Sequence, residues 1–191
     1  MEFIIVFLYS YLLGSIPFGL IITKIFLKKD IRKIGSGNIG ATNVLRSGKK
    51  SLAALTLLFD IFKGYTCVYM TIIFNEELIY IAGLICFLGH IFSIWLKFKG
   101  GKGIATFLGI ILALSFNFAI IFGIVWFLIF IFSKYSSLSS IISTFSVFIY
   151  SLFLLNQNLN YFLFTIFLIV LFTHRENLKR LKEGTERKIK L

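Results

Sequence analysis

Three glycines, a serine, two asparagines, a threonine and an arginine crowd the stretch Gly35-Ser36-Gly37-Asn38-Ile39-Gly40-Ala41-Thr42-Asn43-Val44-Leu45-Arg46. Glycines this close let a backbone curve tightly enough for its N–H groups to face one anion. Ser36, Asn38, Thr42 and Asn43 add uncharged polar groups, and Arg46 can hold a phosphate through two parallel hydrogen bonds. The pattern fits a phosphate nest; the plainer alternative is a polar turn at a membrane interface whose glycines only permit sharp bends. It is not a nucleotide P-loop, because neither Gly40 nor Gly101 completes GxxxxGK[ST].

A second basic loop reads Lys97-Phe98-Lys99-Gly100-Gly101-Lys102-Gly103. Lys102, set between Gly101 and Gly103, can come close to a phosphate with help from the positive end of a helix starting at Ile104. Lys97 and Lys99 read as anchors reaching for lipid headgroups. Near the chain end, His174 and Asn177 share a face if the last helix runs on through them, and both could then hydrogen-bond one polar substrate, with Leu178 and Leu181 on the packed side. The same segment also suits an amphipathic anchor.

Asp60 and Lys63 stand three apart inside an apolar run, where charge is tolerated only if paired or facing polar space. An internal ion pair is the preferred reading, and a place on a substrate or proton path the sharper one. His90 either lines a cavity or satisfies a core hydrogen bond. Ser137 and Ser140 lie at a helix start, where either could cap the helix or contact phosphate. Cys67 and Cys86 have no metal-ligand spacing and read as small buried residues, so no metal site is expected.

The elements that must position these groups are membrane helices. With 58% hydrophobic residues, 24 Phe, only 15% charged residues and a mean hydropathy of +0.93, the chain exceeds what a soluble core can hide. Apolar segments run over about 3–27, 51–74, 78–96, 104–116, 118–133, 137–155 and 160–173, followed by a tail, 174–191. Pro17 is placed to bend the first. A single helix over 104–132 would be roughly 43 Å long, too long for one span, so the run is split near Asn117. Small pairs, Gly14-Ser15 and Ala53-Ala54, would let helices approach closely.

The seven-segment path puts 18 of the 20 lysines and arginines, all but Lys24 and Lys63, in the connections 28–50, 97–103 and 134–136 and in the tail. The other side carries Glu2, Glu76, Glu77 and the neutral run 156–160. That bias predicts an all-α integral membrane protein, a compact single-domain bundle of seven transmembrane helices with the N-terminus external and the C-terminus cytoplasmic. A net charge of +12 then faces anionic phospholipid headgroups and an acidic substrate, not nucleic acid.

At these motifs the chain resembles the bacterial acyl-phosphate:glycerol-3-phosphate acyltransferase family. The matching residues are Gly14-Ser15-Ile16-Pro17, Gly35 to Arg46, Asp60 with Lys63-Gly64, Gly89-His90-Ile91-Phe92 with Lys99 to Gly103, Ser137-Leu138-Ser139-Ser140, and His174 through Arg180 with Gly184-Thr185-Glu186. Ser93 departs from it, standing where the family commonly has proline.

The resemblance implies a plasma-membrane enzyme of phospholipid synthesis that moves a fatty acyl group from acyl phosphate to the 1-hydroxyl of glycerol 3-phosphate, giving lysophosphatidic acid and phosphate. It implies functional roles for Ser36, Arg46, Lys102, His174, Asn177 and one of Ser137, Ser139 or Ser140, and no cofactor. Neither histidine begins a His-x-x-x-x-Asp pair, and an already activated donor needs no protein nucleophile. An anion transporter and a noncatalytic lipid-binding bundle are the other classes that could use the same basic loops.

Overall fold

The computed structural model describes residues 1–189, so Lys190 and Leu191 at the end of the expected tail lie outside the described residues. All the regular elements among these residues are helical. They form two compact units, Met1–Leu114 and a second that begins at Ser115.

In the first unit the expected opening span is two helices, α1 (Glu2–Ser15) and α2 (Phe18–Leu27). Pro17 has no N–H to continue the ladder and pushes Ile16 out of helical geometry, to φ −59° and ψ 117°. Carbonyls freed at such a break need donors where lipid offers none. Ser93 Oγ donates to Ser15 O at 2.6 Å and Lys63 Nζ to Ile16 O at 2.9 Å. Ser93 thus does a job that a proline could not.

A short α3 (Ala41–Leu45) precedes α4 (Lys50–Phe74), α5 (Ile79–Ile91) and α6 (Ile104–Leu114). α1 packs on α5, and α4 on α6. The α4–α6 crossing is backbone to backbone: a Cβ on Gly64 would sit 2.2 Å from Thr106 O, and one on Gly109 1.9 Å from Ile61 O. Gly14 makes a similar approach to Cys86, as expected of a small residue. Of the Ala53-Ala54 pair only Ala53 is buried. Cys67 and Cys86 are buried free thiols.

In the second unit, α7 (Phe116–Ser133) packs on α8 (Ser136–Ser151), and α8 on α9 (Gln157–Thr173). The break expected near Asn117 falls at Ser115, whose hydroxyl caps α7 by accepting from Asn117 N. Inside α8 the hydroxyls of Ser139, Ser140, Ser143 and Thr144 donate to carbonyls of their own helix, so the polar run is satisfied without water. α9 ends at His174, where the chain bends by 59° into α10 (Arg175–Lys182).

Five helical stretches are long and apolar enough to cross a membrane: Glu2–Leu27, Lys50–Phe74, Glu76–Leu96, Phe116–Ser133 and Ser136–Leu154. The bent pair of α9 and α10 is a sixth candidate. α6, with 11 residues, spans only about 17 Å. Large apolar side chains such as Phe132, Phe153 and Leu155 point outward, as lipid-facing surfaces require.

Candidate active site

In the first unit the Gly35 to Arg46 loop is built around Asn43, which is 1% exposed. Its Nδ2 donates to Ile31 O at 3.1 Å, Ile34 O at 2.9 Å and Asn38 O at 2.8 Å, while its Oδ1 accepts the Ser36 N–H at 2.8 Å. An amide committed in this way is a strut of the loop. Gly37 N donates to Ile34 O and Gly40 N to the Asn38 side chain, so three of the N–H groups expected to face an anion, those of Ser36, Gly37 and Gly40, bond within the loop.

Gly35 has a positive φ of 59°, and a Cβ there would lie 2.3 Å from Asn43 Oδ1 and 3.3 Å from Arg46 Cδ. Only glycine fits, and its lack of a side chain lets the Arg46 stem lie beside the Gly35-Ser36 corner. Ser36 is exposed there; Arg46 and Thr42 are half-buried. At the loop entrance Asp30 bonds Arg32 at 2.6 Å, and those hydrogen bonds hold the Asp30 carboxyl at about 2, below the ordinary 3.8.

The second loop is tied to the first by packing. Leu96 shares one buried apolar cluster with Leu20, Ile31, Ile39, Val44 and Ala53. Beyond it Gly100 N donates to Ile91 O at 2.8 Å and Gly101 N to His90 O at 3.0 Å, laying the loop against the end of α5. Lys102 is half-buried, next to Gly103 with its φ of 83°, and Lys97 and Lys99 are exposed as anchors should be.

His90 satisfies core hydrogen bonds. Its Nδ1 lies 2.9 Å from Lys63 Nζ and 3.1 Å from Thr106 Oγ1. Asp60 and Lys63 form the expected internal ion pair at 2.8 Å.

In the second unit the polar groups meet on Glu186. Its Oε1 accepts from Ser137 Oγ at 2.8 Å and Asn177 Nδ2 at 2.6 Å, and its Oε2 from Arg180 Nε at 2.8 Å. Burial pushes this carboxyl up, but the hydrogen bonds from Asn177, Arg180 and Ser137 outweigh it and hold it below the ordinary 4.5. Ser137 therefore reaches across to the tail, whereas Ser139 and Ser140 bond back to their own helix, and Ser140 also accepts from Trp126. None of the three caps α8.

The continuous helix that would put His174 and Asn177 on one face is not formed. His174 is the joint between α9 and α10, and Leu178, expected on the packed side, is 38% exposed. Both polar residues are nevertheless buried. His174 Nδ1 is 2.9 Å from Val170 O, and a carbonyl only accepts, so Nδ1 carries a hydrogen; whenever the ring is neutral, Nε2 is its accepting nitrogen.

Glu186 stands in the matching Gly184-Thr185-Glu186 motif, but an acid in a basic tail, like Glu176 and Glu183, has no role that its type alone assigns. Thr106 and the helix-break role of Ser93 carried no local signal. Among the described residues no group of three or more His, Cys, Asp or Glu side chains could hold a metal.

A family model described as glycerol-3-phosphate acyltransferase matches residues 4–184. A protein of Pelagibacter ubique (strain HTCC1062) called glycerol-3-phosphate acyltransferase is 53% identical over 191 residues, covering 100% of both chains. One from Rhodopseudomonas palustris (strain HaA2) with the same name is 47% identical over 188 residues, covering 98% of this chain and 95% of the other. Among solved structures, an integral membrane glycerol 3-phosphate acyltransferase in its glycerol 3-phosphate form matches with a TM-score of 0.95 at 34% identity, covering 100% of this chain and 96% of that one. Its lysophosphatidic acid form matches over the same shares at 34% identity with a TM-score of 0.92.

Proposed function

The chain belongs to the glycerol-3-phosphate acyltransferase family, and from that premise we propose that it transfers a fatty acyl group from acyl phosphate to the 1-hydroxyl of glycerol 3-phosphate. The products are lysophosphatidic acid and inorganic phosphate. The observation that carries the reading is the common anchoring of two glycine-rich cationic loops, one bearing Ser36 and Arg46 and the other Lys102, on a single apolar cluster.

Both substrates are phosphate anions, and they repel each other. Arg46, with its planar fork, grips phosphate and offsets charge on the leaving group, while Lys102 supplies a compact charge close to backbone. Ser36 adds a hydroxyl at the Arg46 corner. His174 and Asn177 orient the polar substrate, and one serine of 137–140 assists. The seven-span path, with these loops and α10 on the cytoplasmic side of the plasma membrane, follows from the charge bias.

The glycerol hydroxyl attacks the acyl carbonyl, the bond from that carbon to the bridging oxygen breaks, and phosphate leaves with that oxygen. A substrate phosphate takes the hydroxyl proton. The rival in which His174 takes it has one observation in its favour, the Nδ1–H bond to Val170 O that leaves Nε2 as the accepting atom.

The test is purified protein in lipid vesicles given glycerol 3-phosphate with acyl phosphate, acyl-CoA or acyl-carrier protein in parallel. Lysophosphatidic acid should form with acyl phosphate alone. Turnover only with a thioester overturns the donor. Movement of glycerol 3-phosphate across sealed vesicles with no donor present, and no product, indicates a transporter instead.

A further inference from the structure

The buried cluster of Asp60, Lys63 and His90 in the first unit lies outside the proposed chemistry, yet through His90 it touches the loop that bears Lys102. Lys63 is 1% exposed, Asp60 2% and His90 4%. Around the Lys63 ammonium stand three acceptors: Asp60 Oδ1 at 2.8 Å, His90 Nδ1 at 2.9 Å and Ile16 O at 2.9 Å. An ammonium only donates, so it is the donor in its hydrogen bonds to His90 Nδ1 and Ile16 O, with the Asp60 carboxylate beside it as ion-pair partner. His90 Nδ1 therefore accepts, and in the neutral ring its hydrogen sits on Nε2.

That Nε2 edge faces Gly101. A Cβ on Gly101 would lie 2.1 Å from Nε2, and the Gly101 N–H bonds to the His90 carbonyl at 3.0 Å. The ring and the backbone of one residue thus hold the loop from two directions, one residue before Lys102. The same Nδ1 that accepts from Lys63 lies 3.1 Å from Thr106 Oγ1, in the first turn of α6, whose hydroxyl then donates to it, and 3.7 Å from Asp60 Oδ1. One cluster thereby joins the α1/α2 break, α4, α5, α6 and the glycine-lysine loop.

Burying a lysine and an aspartate inside a membrane bundle is costly, and an apolar pair of similar volume would serve packing alone at least as well. An ammonium that can only donate, held in place by its carboxylate, does something an apolar pair cannot: it fixes one tautomer and one ring orientation. We propose that Asp60, Lys63 and His90 are positioning residues for glycerol 3-phosphate binding, with the Lys63 ammonium locking His90 as its Nε2–H tautomer and the His90 ring setting the Gly101 backbone from which Lys102 reaches the substrate phosphate. This rests on the proposed role of Lys102. In it His90 acts through Gly101 and does not itself touch substrate.

Two readouts test it without any acyl donor. The first is nitrogen and carbon NMR of labelled histidine in nanodiscs, using His174→Gln to leave His90 as the only histidine. The ring should be neutral with hydrogen on Nε2, and Lys63→Met with Asp60→Asn should shift it to a mixture. An Nδ1–H ring or an imidazolium in the parent protein overturns the proposal.

The second readout is glycerol 3-phosphate binding by phosphorus NMR titration. The Asp60→Asn/Lys63→Met pair should weaken it by about tenfold or more, the scale expected when an orienting partner is lost. His90→Asn keeps an acceptor near the Nδ1 position and drops the Nε2 edge, so it should fold, as judged by its thermal transition, and bind more weakly to a similar extent. Folded variants that bind as the parent does overturn the proposal. A parent that binds glycerol 3-phosphate but makes no product from acyl phosphate refutes the donor reading and leaves this one standing.

Discussion

Asn177 donates its side-chain amide to Glu186 Oε1 at 2.6 Å, and Ser137 donates to that same oxygen at 2.8 Å. One carboxylate oxygen therefore holds the polar end of α8, the last helix and the tail in register. Arg180 completes the clamp on the other oxygen.

Glu186→Ala should strand three donors, two of them on buried residues, and lower stability by about 1–3 kcal/mol, the usual cost of a lost buried partner. Thermal unfolding in lipid measures this, and hydrogen exchange should localise the loosening to α10 and residues 183–189.

The pH dependence of that clamp follows from the direction of the shift. The Glu186 carboxyl is held below its ordinary 4.5 in the folded protein, so its stabilisation is fully present above that value. It is lost as pH falls through the depressed folded value. Tail protection against proteolysis should thus be flat from neutral pH down to the ordinary carboxylate range and fall only below it. A loss beginning near neutrality would contradict this.

Arg46→Ala should lower kcat/KM for acyl transfer by roughly 10²-fold or more, the scale of removing one charge-stabilising donor, with membrane insertion intact. Arg46→Lys should recover little, because a point charge cannot reproduce the planar fork. Steady-state kinetics on both variants decide it.

Gly109→Val should break the α4–α6 crossing, because even a Cβ there would lie 1.9 Å from Ile61 O, which is backbone and cannot swing aside. The expected loss is about 1–3 kcal/mol of stability or outright failure to fold. Gly123→Ala, with nothing within 4 Å of its Cβ position, is the control and should be near neutral.

The break at Ser115, the bend at Pro17 and the Asp60–Lys63 pair were legible because each rests on local physics: a span too long for a bilayer, a missing N–H, two charges three apart on a helix. The bend at His174 was not legible, since no proline or glycine marks it. Asn43 looked like a donor to substrate because its type says only that it bonds something; that its partners are Ile31, Ile34, Asn38 and Ser36 depends on how the loop closes. Glu186 meeting Ser137, 49 residues away, is likewise a tertiary fact. The polar loops could be found from composition, but which of their groups hold the loop and which are left for a ligand could not.

The most direct test of direct transfer from acyl phosphate uses donor labelled with oxygen-18 at the bridge between carbonyl carbon and phosphorus, with glycerol 3-phosphate as acceptor. Attack on the carbonyl predicts one labelled inorganic phosphate for each lysophosphatidic acid formed, with no label in the lipid. Label retained in free fatty acid, or lysophosphatidic acid formed without labelled phosphate, would contradict it.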